Sequence, residues 1–230
     1  MRLREGPGKR VTFLRHGESL HEAKADASGQ VCHCDDVDAR TRTIDGCPYR
    51  DPELVDAALT PRGHDLVRGI GAPDTEIVLA STSVRAIETA LDAFPAVPIV
   101  ALESLRSRVS GHMHTKRRTL AELRGLFPRV ELPRVDDADT LWNGETEARA
   151  SIDARVQRFF GELMARPERR IAVVTHFTIF RALLARNSDR LVLGTNPERP
   201  SDDEPWLLLA NATAATWAAG ELRTFFLAPA

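Results

Sequence analysis

The chain has little of what would send it into a bilayer, an oxidising compartment or onto a nucleic acid. Its longest apolar stretches, such as residues 206–210 and 171–174, fall far short of the ~20 needed for a membrane-spanning helix. Met1-Arg2-Leu3-Arg4-Glu5-Gly6-Pro7 carries charges but lacks the apolar run of a secretory leader. Cysteine is sparse and odd in number: Cys32, Cys34 and Cys47 in 230 residues, which suits reduced thiols rather than a disulfide framework. The expected location is therefore cytoplasmic, with no membrane partner. Excess charge of one sign is also lacking. The 31 basic and 33 acidic residues leave a formal charge of -2, so no overall field draws in nucleic acid. Internal repeats and low-complexity tracts are absent.

A hydrophobic content of 43% is enough to bury a core, and the length fits one domain at roughly 100 to 200 residues each. Short β-branched runs at 11–14, 77–80, 99–101, 171–175 and 206–209 alternate with helical patterns at 61–70, 84–94, 119–127, 145–166 and 177–187. Such alternation predicts an α/β fold: a three-layer sandwich with a mostly parallel central sheet and helices on both faces. In the helix expected at 145–166, Ile152, Val156, Phe159, Phe160 and Leu163 recur at threes and fours, an apolar stripe for the core. Thr60-Pro61 reads as an N-cap followed by proline at the first helical position, and Phe94-Pro95 as a helix end. Two irregular stretches, about 22–58 and 104–143, break the alternation and are expected as cap insertions over the carboxyl ends of the strands, where α/β proteins bind ligands.

Three strand ends carry the chemistry. The first strand stops at Arg15-His16-Gly17-Glu18-Ser19. The second stops at Ser81-Thr82-Ser83-Val84-Arg85, with Arg85 in the first turn of the next helix. The strand over 171–175 delivers His176 immediately before a helix that begins at Phe177. Any one of these is ordinarily a surface charge or a satisfied core histidine. Convergence of two arginines and two imidazoles on one sheet edge, beside helix N-termini, points instead to a small tetrahedral anion.

These segments, with Asp56-Ala57-Ala58-Leu59-Thr60-Pro61-Arg62-Gly63, resemble the ordered motifs of the histidine phosphatase superfamily, the phosphoglycerate-mutase-like fold. The resemblance covers most of residues 10–228 and implies a metal-independent phosphohydrolase acting on a small phosphorylated metabolite, without cofactor. It makes His16 the nucleophile that forms a phosphohistidine, Arg15 and Arg85 the bidentate holders of the phosphate, and His176 a stabiliser of its oxygens. The Phe177 amide is a further candidate oxygen ligand.

The pattern breaks at two places. Relatives commonly carry asparagine where this chain has Glu22; a carboxylate there is repulsive unless protonated, turned away or paired with arginine, or else it binds a cationic part of the substrate. The glutamate that serves many relatives as proton donor falls on Ser107, which cannot do the work. His114, then His112, are the leading substitutes because an imidazole titrates near neutrality, with Glu103 third. Without any acid, acyl or aryl phosphates would be favoured. Lys116-Arg117-Arg118 with Arg106 and Arg108 is a candidate site for a second anionic group, although a solvated helix start explains the run equally well. Cys32-His33-Cys34 with Cys47 has poor spacing for zinc and no evident fourth ligand, so no metal is expected. Asp137-Ala138-Asp139-Thr140 lacks a preceding strand and reads as a loop. A phosphomutase and a catalytically decayed phosphate-binding protein stand as rival readings, and the sequence leaves the oligomeric state and the substrate open.

Overall fold

A computed structural model describes residues 9–29, 47–187, 191–193 and 219–227. They build a sheet of seven strands in the order β4-β3-β2-β5-β1-β7-β6, where β1 is Lys9–Arg15, β2 Ile77–Ser81, β3 Ile99–Leu102, β4 Val130–Glu131, β5 Arg170–Thr175, β6 Leu191–Leu193 and β7 Leu222–Leu227. Strands β1 to β5 run parallel to one another, while β7 pairs antiparallel with both β1 and β6. The expected α/β class and mostly parallel sheet are borne out. The run expected at 206–209 lies outside the described residues, as do Cys32 and Cys34.

Alternation along the strands divides the core in two. Val11, Phe13, Ile77, Leu79, Ile171 and Val173 face α5 (Arg149–Ala165) and α6 (Phe177–Asn187), which supply Val156, Phe159, Leu163, Phe180 and Leu183. The intervening Leu14, Val78, Ala80, Ala172 and Val174 face α3 (Val84–Ala93) and α4 (Leu120–Leu126). A strand buried on both faces needs apolar residues at consecutive positions, which is why these runs read as continuous. At roughly 1.5–3 kcal/mol for each large apolar side chain buried, these two layers make the sheet a rigid platform for whatever its ends carry.

Helix α5 starts at Arg149, four residues later than the periodicity suggests, because the preceding segment is used elsewhere. Ser110 bridges to Thr146, and the Glu147 amide donates to the Val109 carbonyl at 2.7 Å. Helix α1, Leu20–Ser28, is an element that the irregular reading of 22–58 passes over. Its signal was Ser19-x-x-Glu22, a capping box whose reciprocal bonds are formed here.

The loop after β1 is tied to α2, Pro61–Val67, by backbone contact. Thr60 caps α2 by accepting from the Gly63 amide at 2.9 Å, and its own amide donates to the Glu18 carbonyl at 2.9 Å. Gly17 and Gly63 meet so closely that a Cβ on Gly17 would stand 2.6 Å from the Gly63 carbonyl oxygen, while one on Gly63 would overlap that of Glu18. Only glycine lets the two backbones approach this far. Gly63→Ala should therefore cost about 3 kcal/mol, a drop of roughly 6–12 °C in melting temperature for a chain of this size. Differential scanning calorimetry checks it; an unchanged melting temperature would show that the loop and α2 separate freely.

Candidate active site

Adjacent strands place the key residues. In the sheet β5 lies between β2 and β1, and Arg15 is in register with Thr175. His16 follows β1, His176 follows β5, and Arg85 stands in the first turn of α3 just after β2. The His16 and His176 ring centroids are 5.0 Å apart. Arg85 is 1% exposed and joins them: its Nε lies 3.4 Å from His16 Nε2 and its Nη2 3.3 Å from His176 Nδ1.

A guanidinium only donates, so both facing ring nitrogens present lone pairs. The other nitrogen of each ring completes the assignment. His16 Nδ1 donates to the Gly17 carbonyl at 2.8 Å, and His176 Nε2 donates to Ser81 Oγ at 2.9 Å. His16 thus carries its lone pair on Nε2, inside the site. Burial, with Arg85 and Arg15 adding to it and Glu22 opposing, pushes the His16 imidazole down to about 3. Burial and the same arginines likewise hold His176 well below the usual histidine range. Both rings are neutral at physiological pH.

Glu22 is paired with arginine, one of the conditions under which a carboxylate is tolerated here. Its Oε1 accepts from Arg15 Nη2 at 2.5 Å, and its Oε2 accepts from the Ser19 amide at 3.0 Å and the Ser19 hydroxyl at 2.7 Å. Burial works to raise this carboxyl, but the Arg15 guanidinium and the Ser19 bonds help to hold it below the ordinary range. Glu22 thus steers Arg15 rather than presenting a free carboxylate to a cationic group.

The cap brings in a second set of rings. His114 lies in the 113–115 turn; its carbonyl accepts from Arg85 Nη1 at 3.1 Å, and its ring stacks on His21 with centroids 4.0 Å apart and planes 5° from parallel. His114 Nδ1 is buried with no hydrogen-bond partner. Tyr49 stands 5.0 Å from His114 and 5.8 Å from His21. Burial, then neighbouring charges, depress both His21 and His114 well below the usual histidine range. His112 sits behind His114, bonded to Ser110 Oγ at 2.9 Å with Cys47 Sγ 3.9 Å away. Its ring lies 5.5 Å from that of His114, with the planes 22° apart, and so backs the 113–115 turn. Neither His21 nor Tyr49 is marked by the sequence: Tyr49 falls in the irregular stretch 22–58, and His21 just before it, in the first turn of α1.

Several expectations fail on partners. Arg106, expected to bind substrate, is buried in a bidentate pair with Asp139 at 2.6 and 2.8 Å, so it fastens the cap. Arg117 is buried too, its guanidinium donating to the carbonyls of Asp136 and Ala138. Glu103 accepts from Thr82 Oγ1 at 2.6 Å and Arg106 Nη1 at 3.2 Å, and pairs with Arg117 at 2.9 Å, which removes it as a proton donor. Asp56 anchors the site from behind: its two oxygens accept from the amides of Val84 at 2.9 Å and Arg118 at 3.1 Å, fixing the start of α3 and hence Arg85. The Phe177 amide opens α6, where first-turn amides have no intrahelical partner.

With this geometry in place, comparison with known proteins is decisive. The family model of the histidine phosphatase superfamily, branch 1, matches residues 53–195, more than half of the chain. The chain belongs to the histidine phosphatase superfamily. The matched stretch contains Arg85 and His176, while Arg15 and His16 precede it and join them through the β1–β5 pairing. A phosphoglycerate mutase-like protein of Arabidopsis thaliana is 24% identical over 217 residues, covering 77% of this chain and 74% of that one. Bacillus stearothermophilus YhfR superposes with a TM-score of 0.51 at 19% identity over 95% of each chain. The phosphoserine phosphatase of Entamoeba histolytica, solved with 3-phosphoglyceric acid, gives 0.51 at 16% identity over 94% of this chain and 89% of that one. These structural likenesses establish the shared fold. Among the described residues, no helix is long and apolar enough to cross a membrane.

Burying neutral histidines links stability to pH. Unfolded histidines take up protons near pH 6.5, whereas His16 and His176 resist protonation until far lower, so the unfolded state binds more protons in between. Stability is therefore full above that pH and falls as pH drops, by up to about 1.4 kcal/mol per pH unit for each such histidine. Urea midpoints at pH 7.5 and 5.5 should show this loss, and saturating inorganic phosphate should reduce it. Equal midpoints would mean that the rings are solvated.

Proposed function

We propose that the chain is a phosphoric monoester hydrolase that removes phosphate from a small phosphorylated metabolite through a phosphohistidine on His16. The observation that carries this reading is the tautomer of His16: Nδ1–H held by the Gly17 carbonyl, with the Nε2 lone pair facing Arg85 and 5.0 Å separating its ring from that of His176. A phosphomonoester dianion entering between Arg15 and Arg85 meets forked donors for its oxygens, and the added negative charge offsets the cost of burying Arg85. His16 Nε2 attacks phosphorus in line; the N–P bond forms as the bond to the leaving oxygen breaks. His176 Nδ1 and the Phe177 amide are placed to receive the equatorial oxygens, the former once the anion favours its protonation. Water then attacks the phosphohistidine, the N–P bond breaks, and inorganic phosphate leaves. The arginines supply the charge that this chemistry requires, so the reaction is proposed without a metal or cofactor.

His114 is the proposed general acid. It is held against Arg85 by its own carbonyl, its Nδ1 has no competing partner, and its stack on His21 fixes the ring plane. The arriving dianion opposes the forces that keep this ring neutral, so the proton for the leaving alkoxide is acquired with the substrate. The same ring is placed to take the proton of the attacking water.

Two variants test the assignment on a panel of acyl phosphates, sugar phosphates, nucleotides and 4-nitrophenyl phosphate. His16→Ala should lower phosphate release by about 10⁴-fold or more on every substrate. His114→Ala should lose about 10²-fold or more on alkyl phosphates and far less on 4-nitrophenyl phosphate, whose leaving group departs unprotonated. Undiminished turnover by His16→Ala would contradict the nucleophile, and equal losses on both substrate classes would remove His114 as the acid. Interconversion of phosphoglycerates without phosphate release would favour a mutase, and phosphate binding without turnover of any substrate would favour a binding protein.

A further inference from the structure

A histidine that transfers protons works only if its ring is held, usually by a carboxylate or carbonyl bonded to one of its nitrogens. His114 is held otherwise. Its Nδ1 is buried without a hydrogen-bond partner, and rings close on it from three directions: His21 at 4.0 Å and 5° from parallel, His112 at 5.5 Å and 22°, and Tyr49 at 5.0 Å and 59°. His21 makes the nearest and flattest of these contacts, and it comes from a different element, α1. His112 stands two residues before His114 in the same loop and so cannot fix the turn from outside.

His21, by contrast, is tethered. It is 7% exposed, and its Nδ1 lies 2.8 Å from Ser19 Oγ. Glu22 decides the direction of that bond. The Ser19 hydroxyl donates its single proton to Glu22 Oε2 at 2.7 Å, because a carboxylate only accepts, and Glu22 Oε1 accepts from Arg15 Nη2 at 2.5 Å. Ser19 Oγ therefore accepts from His21, which carries its proton on Nδ1. A line of contacts thus runs from Arg15, on the phosphate-holding side, through Glu22, Ser19 and His21 to the face of His114. Around the stacked pair stand Arg85 from α3, His16 from the end of β1, His176 from the end of β5, and Tyr49 and His112 from the cap. Two charged imidazoles 4.0 Å apart in a water-poor site repel strongly, so the stack carries at most one charge. A neutral ring face is what a charged partner prefers to lie against.

We propose that His21 is a positioning residue for leaving-group protonation: fixed through Ser19 by Glu22, it offers His114 a neutral face that sets the plane of that ring and supports the charge it gains with substrate. The proposal rests on the phosphohydrolase reading with His114 as general acid and deepens it. His21 transfers no proton to the substrate and acts only through His114. Glu22 consequently serves both ends of the reaction, orienting Arg15 toward the phosphate and His21 toward the acid.

The test compares His21→Ala, His21→Phe, His21→Asn, His114→Ala and the double variant H21A/H114A on the fastest sugar phosphate of the panel and on 4-nitrophenyl phosphate. His21→Ala should lower kcat/KM by about 10-fold or more on the sugar phosphate and by less than about 3-fold on 4-nitrophenyl phosphate. In the double variant the loss of His21 should add nothing to that of His114. His21→Phe, which returns a ring face, should restore most of the rate, whereas His21→Asn, which can still donate to Ser19 but offers no ring, should not. These two also carry the comparison if His21→Ala fails to fold. Unchanged rates or equal losses on both substrates, a His21 effect that persists without His114, or rescue by Asn rather than Phe overturns the proposal. Equal losses in His114→Ala would instead overturn the general acid, and no turnover by the wild type would overturn the phosphohydrolase reading and this proposal together.

Discussion

Arg85 is the constraint on which the rest of the structure depends. A guanidinium that is 1% exposed, with no carboxylate hydrogen-bonded to it among the described residues, is expensive to hold in a protein interior. Its donors reach two imidazole lone pairs and the His114 carbonyl, and because it cannot accept, it dictates the tautomer of both rings. One side chain thereby sets the tautomer of His16, aligns His176 and anchors the cap turn. Burial disfavours this charge and the carboxylates of Asp56 and Glu22 only partly offset it, so an entering anion would relieve what remains.

The surrounding elements exist to keep that arginine and its neighbours in place. Asp56, itself held at φ 47°, pins the start of α3 through the Val84 amide. Gly17 and Gly63 let the loop after β1 press against α2, and the Gly17 amide donates to Thr89 on α3 at 3.0 Å. Three elements are thus stitched together within a few residues of His16. Glu22 orients Arg15 while capping α1, so a single carboxylate serves both the helix and the anion site. Around the cap, Arg106, Arg117 and Arg155 act as internal staples; Arg155 holds Glu147 at 2.7 Å and the carbonyl of Arg106 at 2.9 Å.

The sheet and the four principal site residues were legible because both follow from short-range pattern. Buried parallel strands read as apolar runs, and a strand that ends in Arg-His or Thr-His before a helix announces what it delivers. The adjacency of β2, β5 and β1 then brings those ends together without further instruction. What escaped depends on partners distant in sequence. Nothing near Arg106 marks it as the mate of Asp139, 33 residues on, so a buried staple and a substrate-binding cation look alike. His21 and His114 form their stack only because α1 and the 113–115 turn pack from opposite sides of the site. Glu22 is shared by Arg15 and Ser19, a pairing that charge alone does not announce but whose capping-box spacing is present in the sequence.

The most direct test of the account is nitrogen-15 NMR of the histidine rings in the phosphate-free protein at pH 7. It predicts that His16 and His176 are both neutral, His16 with its proton on Nδ1 and His176 with its proton on Nε2, and that bound phosphate raises the pH at which they take up a second proton. A charged ring in the phosphate-free protein, or a His16 protonated on Nε2, would mean that Arg85 does not prepare His16 for the proposed attack.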